Sequence, residues 1–554
     1  MLADGNEAEL VLIPPTPDAV TDDEEVIEDD VMLDEMVNDV PCRIEVHHNG
    51  SDEEEDSYSE KVSLSYNWKN VSPRFSVLSG ELPSDKKRQE DMMRNLSGKE
   101  PLELFLLMYE DIASLIQKES VRYAHQKNAI DFKLSHEEVE CFLGILLLSG
   151  YNSLPEVKHY WSTSEDLGNK AVMDAMSRNR FLEIKHFLHL NNNDNVNESK
   201  DKLFKLRPYL ILFAKNIMRF GVFTKVLSID ESMVPYFGRF GCKMFIRGKP
   251  VRFGYKIWCL CSSSGYLYSF DVYTGKKKES PKATSLGHKT VLDLLKVCPT
   301  SSHEVFFDNF FTDPDLLVRL RDLGFRATGT VRERRTRSAP LTTNATMKKS
   351  CRGSFEFCFD RREEIFIVKW KDSNVVTVAS NYEGHTPLGS VRRYSQQDKK
   401  HVQIDIPKCI QDYNQGMGGV DVLDKLASSY RPNIRGKKWW FNIFVHILNV
   451  AVTNAWLLHR LTENKPMSHL DFRRNVAMNL IASSKRIHSE TYHALQVPST
   501  CRFQGWGHWP ESLTEEVGVQ KQLRCASCGM KAGFRCKLCS VTLHPKCFEK
   551  YHTM

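Results

Sequence analysis

The sequence predicts an α/β protein in which a sheet-bearing core lies between helical segments, with an acidic stretch before it and a cysteine/histidine cluster after it. Three observations predict this. Apolar spacing is helical from Pro101 to about residue 220, changes to the alternating strand period near 225, and becomes helical again at Gly419. Charge is divided unevenly: residues 1–60 hold 21 Asp and Glu against one basic residue, Arg43, a local charge of −20, and the remaining 74 basic against 50 acidic residues give +24. Five of the 15 cysteines crowd into 525–547 at paired spacing. An acidic tail on a basic body points to nucleic acid as partner.

In chain order, residues 1–97 carry acidic runs at Asp22–Glu25 and Asp52–Asp56 with few periodic apolar positions, so this stretch is expected to stay disordered. Ser51, followed by DEEED, fits a site for an acidophilic kinase, and a plain solvated tail is the alternative. The opening MLADGNEAEL lacks the basic and apolar regions of a secretory signal, and none is expected. Residues 98–224 read as helical: Leu102, Phe105, Leu106, Tyr109, Ile112, Leu115 and Ile116 share one face, Ser135 with Glu138 forms a capping box before FLGILLL, and further helices fit 179–190 and 202–220. Residues 225–330 then supply a strand at 226–230, a hairpin at 256–273 about Gly265, a helix at 289–298 and a strand at 303–308. Residues 331–407 read as a β-rich insertion, 408–430 as the return of the core, 431–500 as a second helical segment and 501–554 as a metal-binding end. The uncharged run 441–458 contains His446, Asn442, Asn449, Thr453 and Asn454, which marks a buried helix and not a membrane span. No membrane and no small-molecule substrate are expected.

Two aspartates interrupt apolar strand sequences: Asp230 in SIDESM and Asp308 in FFDNFF, both placed at strand ends. Burying an unpaired carboxylate costs several kcal/mol unless a cation accompanies it. Asp421 and Asp424 in GGVDVLD are spaced i,i+3 on one helical face. Singly, each has an ordinary reading as turn residue, N-cap or helix-dipole partner. Together, in the order strand, strand, helix, they can hold two Mg²⁺ ions at Asp230, Asp308 and Asp421, a site for in-line displacement at a phosphodiester.

The C-terminal spacing is sharper. Cys525, Cys528, Cys536, Cys539, His544, Cys547 and His552 place seven soft or imidazole ligands within 28 residues, and His508 upstream makes eight. Thiolate and imidazole pairs at this spacing are zinc ligands, and eight fit two closed tetrahedral sites. So short a segment has little core, so two Zn²⁺ ions would supply its folding free energy. The other cysteines are scattered without pairing logic, as in a reducing compartment.

The stretches DESMVPYFGRFGCKMFIRGKPVRFGYKIWCL, VFFDNFFTDPDLL, ATGTVRE, YNQGMGGVD and RGKKWW, in that order, resemble the piggyBac superfamily of cut-and-paste DNA transposases over roughly residues 98–554. The resemblance implies an RNase H-like (DDE/D-type) core with Asp230, Asp308 and Asp421 as catalytic triad and Asp424 beside it. It also implies a helical dimerisation and DNA-binding domain, a cross-brace zinc domain, binding of double-stranded terminal inverted repeats, excision through hairpin ends and integration at TTAA. A homodimer in the nucleus is expected. Arg247, Lys249, Arg252, Arg332, Arg335, Arg435, Lys437 and Lys438 surround the triad in sequence and suit a DNA backbone path, with a solvated charged face as the alternative. Trp439 offers a plane for an unstacked base, or core packing. Two other readings remain: a domesticated sequence-specific DNA-binding or chromatin protein with little or no transposition, and a metal-dependent nuclease without strand transfer.

Overall fold

The computed structural model describes residues 8–13, 43–48, 64–76, 83–491 apart from short stretches at 165, 195–198, 239, 247–250, 276–284, 299–302 and 397–398, then 507–512 and 523–553 apart from 529 and 540. The chain divides into two units, 1–483 and 484–554, and each is taken by itself.

In the first unit β1 (Ala8–Ile13) pairs antiparallel with β2 (Arg43–His48), and β3 (Trp68–Lys69) lies at an edge of the main sheet. The helices α1 (Pro83–Leu96), α2 (Pro101–Gln126), α3 (His136–Leu148), α4 (Lys170–Ala175), α5 (Arg178–Phe187) and α6 (Arg207–Ile217) follow. The apolar stripe of α2 is buried along Leu104, Phe105, Met108, Tyr109, Ile112 and Ile116. The capping box that opens α3 is complete: Ser135 Oγ accepts from Glu138 N at 3.1 Å and Glu138 Oε2 from Ser135 N at 3.0 Å.

The core then runs β4 (Val226–Pro235), β5 (Lys243–Phe245), β6 (Phe253–Ser262), β7 (Leu267–Val272), α7 (Leu286–Leu295), β8 (Glu304–Phe307), α8 (Pro314–Asp322), β9 (Arg326–Thr330), α9 (Asn344–Met347), β10 (Phe355–Asp360), β11 (Ile365–Lys371), β12 (Val375–Ser380), β13 (Gly389–Ser395), β14 (Lys400–Ile406), α10 (Lys408–Gly416), α11 (Gly419–Ser429), α12 (Phe441–Thr462) and α13 (His469–Thr491). Ten strands form one mixed sheet in the order β3-β10-β11-β12-β9-β8-β4-β6-β5, with β7 also on β6. β8 is parallel to both β4 and β9, and the other pairings are antiparallel. The β6–β7 hairpin turns at Gly265, whose φ of +92° favours glycine.

The helices before and after the core meet. Tyr209 donates to Phe444 O at 2.9 Å, and Asn454 of α12 both donates to Leu267 O and accepts from Leu267 N at 3.0 Å, tying α12 to β7. In α12, the helix of the 441–458 run, 89% of the apolar window is buried inside the protein, which makes it a core helix.

The second unit has two small antiparallel pairs, β15 (Pro510–Ser512) with β18 (Phe534–Cys536) and β16 (Leu523–Arg524) with β17 (Lys531–Ala532), then α14 (Phe548–Thr553). Its buried core is Cys525, Ala532, Cys536, Cys539 and Leu543, mostly metal-type ligands.

Two expectations are corrected. Disorder across 1–97 does not hold for 64–76 and α1: Tyr66 donates to Asp315 at 2.7 Å and Trp68 Nε1 to Arg337 O at 2.9 Å, long-range bonds that apolar periodicity does not report. Ser51 lies outside the described residues. Residues 331–407 carry β10 to β14. β12 pairs with β9 through Val378↔Thr330 to Ser380↔Thr328, so the main sheet continues into this segment, and 333–335 is a 3-10 turn. The first core strand does not end at Asp230; pairing with β6 carries it to Pro235, opposite Gly254, and leaves Asp230 in mid-strand.

Candidate active site and metal centres

Ile229 of β4 pairs in parallel register with Phe307 of β8, so Asp230 and Asp308 come next on neighbouring strands, whose spacing is about 4.8 Å. Asp230 is buried, and its Oδ1 accepts from Glu231 N at 2.8 Å. Asp308 lies just past β8, where its Oδ1 accepts from Phe310 N at 2.9 Å and its carbonyl from Thr312 Oγ1 at 2.7 Å, fixing the turn.

The second pair arrives on α11, which lies close over β4 and β6. A Cβ on Gly419 would overlap Ser262 O and Ser228 Oγ, so glycine is what allows this approach. Asp421 is in the first turn of α11, where the helix dipole favours a carboxylate, and Asp424 is one turn on. Ser232, two residues beyond Asp230 on the same face of β4, donates to Asp424 Oδ1 at 2.6 Å. Burial first raises the Tyr413 pKa, and the charges of Asp308, Asp230 and Asp421 raise it further, which places all three in one neighbourhood. The Cys261 thiol is likewise pushed up, by burial first and then by Asp424 and Asp230. Among the described residues, sets of three or more ligands with all atoms within 4.8 Å of one another occur only in the second unit. The four aspartates are therefore an open acidic cluster and not a closed single-ion cage. Ser232, Tyr413 and Gly419 were not singled out from sequence; the i+2 position of Ser232 on the Asp230 strand and the double glycine before Asp421 were the available signals.

The basic residues assigned to DNA separate into groups. Arg247 and Lys249 lie outside the described residues. Arg332 Nε donates to Asn309 Oδ1 at 3.0 Å, and buried Arg335 donates to Asn309 O at 3.1 Å and Phe310 O at 2.8 Å, so both hold the turn after Asp308. Lys438 Nζ donates to His186 O at 2.7 Å and Leu188 O at 2.9 Å, an internal role. Arg252, Arg435 and Lys437 are exposed. Trp439 is a correction: it is buried and stacks on Phe240 with ring centroids 3.8 Å apart and planes 7° off parallel, while its carbonyl accepts from Tyr255 OH at 2.9 Å. The core reading is the one the geometry supports.

In the second unit all eight expected ligands converge, as two sets of four: His508, Cys536, Cys539 and His552, and Cys525, Cys528, His544 and Cys547. The sets interleave along the chain, a cross-brace. His508 Nδ1 is 3.4 Å from Cys536 Sγ and 3.3 Å from Cys539 Sγ, and Cys528 Sγ is 3.3 Å from His544 Nδ1. These separations are close to the edge of a zinc tetrahedron, about 3.5 Å for thiolate and imidazole bond lengths. The outer nitrogens of two histidines are hydrogen-bonded to carbonyls, His544 Nε2 to Lys531 O at 2.8 Å and His552 Nδ1 to Phe548 O at 2.7 Å, which orients the ligating nitrogens inward. Donor set and spacing both fit zinc.

The first unit is thus an α/β fold in which a mixed sheet and the helix α11 bring carboxylates together, an arrangement of oxygen donors suited to divalent cations. The family model described as "Transposase IS4" matches residues 100–456. Human piggyBac transposable element-derived protein 3 is 40% identical over 469 residues, covering 82% of this chain and 76% of that protein. Human piggyBac transposable element-derived protein 2 is 36% identical over 458 residues, 82% of this chain and 76% of that protein. The human chimeric ERCC6-PGBD3 protein is 40% identical over 469 residues, which is 42% of its length. A piggyBac transposase synaptic complex with hairpin DNA, solved by cryo-EM, shares the fold with a TM-score of 0.61 at 23% identity, covering 82% of this chain and 97% of that chain. The chain belongs to the piggyBac superfamily of DNA transposases, among the piggyBac transposable element-derived proteins.

Proposed function

We propose that the protein is a cut-and-paste DNA transposase that binds terminal inverted repeats as a homodimer in the nucleus, excises through hairpin ends and joins them to TTAA. In this reading the strands β7-β6-β4-β8-β9 with α11 form an RNase H-like catalytic core. The observation that carries it is the convergence of Asp230 on β4 and Asp308 just past the neighbouring β8 with Asp421 and Asp424, brought by α11. Four carboxylates are hard oxygen donors and fit Mg²⁺, held by Asp230, Asp308 and Asp421 with Asp424 beside them. Asp230, Asp308 and Asp421 would hold two such ions, which would supply activation of the attacking oxygen and stabilisation of the leaving one. The chain's own contribution is placement: Ser232 holds Asp424, the Phe310 amide holds Asp308, and the Glu231 amide holds Asp230. The second unit carries two Zn²⁺ ions in structural sites and assists DNA recognition.

The test is incubation of the purified chain with Mg²⁺, a duplex bearing the inverted repeats that flank its gene, and a TTAA-containing target. Hairpin ends and TTAA junctions are expected. Cleavage without joining would instead favour a nuclease. Binding without either would favour a DNA-binding protein that has kept the fold, a reading to which the names of the human relatives, as element-derived proteins, lend support.

A further inference from the structure

A cavity of about 150 Å³ opens where β4 ends, between the segment that follows α11 and the first turns of α12. Val234, Phe441 and Val445 give it apolar walls, half-buried His446 also lines it, and Arg431 and Arg435 are exposed beside it. Val234 is on the same face of β4 as Asp230 and Ser232, four residues along, which places the cavity about 13 Å from Asp230 at 3.3 Å per residue. That distance is about four stacked nucleotide steps. Arg431 also feels the charge of Asp424. Burial, and then Arg431, keep His446 neutral with a pKa near 3, so it offers a hydrogen-bonding ring and no charge.

Apolar walls with a neutral polar group among them and two exposed guanidinium groups match one chemical unit: a flat heteroaromatic base attached to a phosphate. The space is well below the roughly 300 Å³ at which pockets for larger ligands begin. It suits a single base and not a base pair. The stacked Trp439 ring is not available for that purpose, because Phe240 covers it.

We infer that this cavity takes one unpaired nucleotide of the DNA, its base against Val234, Phe441 and Val445 and its phosphate at Arg431 and Arg435. The inference rests on the DNA reading above and extends it to a strand position away from the carboxylates. Base stacking and phosphate contact are then separable.

The test uses the full chain at fixed ionic strength with two probes, a DNA stem capped by a short unpaired loop and a blunt duplex of the same stem. The wild-type chain should prefer the looped probe by about tenfold, a difference of 1.4 kcal/mol. Val445→Trp, which fills the cavity, should bring that ratio to about one with the melting temperature held within a few degrees. Should that variant fail to fold, the same ratio is read with wild type and a loop whose bases are replaced by abasic units, where the preference should also vanish. A ratio that survives filling, or survives loss of the bases, overturns the pocket while leaving duplex binding intact. Failure of wild type to retain either probe overturns the DNA reading itself, and the pocket's occupant with it.

Discussion

Ser232 on β4 donates its hydroxyl to Asp424 on α11 across 2.6 Å, and this single bond joins the strand that carries Asp230 to the helix that carries Asp421. Side chains two apart on a strand share a face, so Ser232 can reach α11 only because Asp230 also faces it. The bond thereby sets the height of the helix over the strand as well as the position of Asp424.

Ser232→Ala should cost about 1.5 kcal/mol, the lower range for a hydrogen bond to a charged acceptor, because Asp424 keeps some access to water. Denaturant unfolding measures that loss. Nicking should fall with DNA binding retained. An unchanged midpoint and rate would mean that Gly419 packing alone positions the helix.

Trp439→Ala should destabilise the chain by about 3–5 kcal/mol, as large-to-small changes in a packed core do. Its partners Phe240 and Tyr255 lie on the loop after β4 and on β6, so every catalytic step should decline together. A variant that melts like wild type and fails only at hairpin formation would restore the base-stacking role.

Acid should weaken the fold through buried histidines. Burial is the main cause that lowers the pKa of His189 to about 4 and of His446 and His469 to about 3, and nearby Lys438, Arg431 and Arg473 add to it. Unfolded, each titrates near 6.5, so below that pH the unfolded chain binds protons the folded chain refuses. Their contribution is complete above pH 6.5 and is lost as pH falls toward the folded values. The melting temperature should drop between pH 6.5 and 4, and His189→Gln should reduce the slope. A flat profile over that window would contradict the assignment.

The second unit should depend on metal. Its core is mainly ligands, so chelation or Cys536→Ser should expose residues 507–553 to proteolysis with the first unit still protected. Metal analysis of the intact chain should give about two zinc ions. One ion per chain would sink the eight-ligand assignment.

Much of this was legible in the sequence because local signals agreed with the global arrangement. The Ser135–Glu138 capping box, the turn at Gly265 and the spacing from Cys525 to His552 each determine a local geometry without help from distant residues. Asp230, Asp308 and Asp421 could be singled out because carboxylates in apolar strands and on a packed helix need a reason. What was not legible depended on tertiary packing. Arg332, Arg335 and Lys438 look like a basic surface in sequence, yet backbone carbonyls of Asn309, Phe310, His186 and Leu188, or the side chain of Asn309, receive their donors. Trp68 and Tyr66 lie in a stretch without periodicity and are held by partners more than 240 residues away. How the two zinc-type sets interleave also required the fold, since eight ligands can be paired in several ways.

If Asp230, Asp308 and Asp421 serve chemistry and not folding, Asp421→Asn shows it with the least disturbance. Asp421 is exposed in the first turn of α11, so its neutral isostere should leave melting and duplex affinity near wild type. Measured on the full chain with Mg²⁺ and an element-end duplex, nicking should be abolished, as with Asp230→Asn and Asp308→Asn, while Asp424→Asn should retain part of it. Nicking at the wild-type rate by Asp421→Asn, with binding intact, would remove Asp421 from the site.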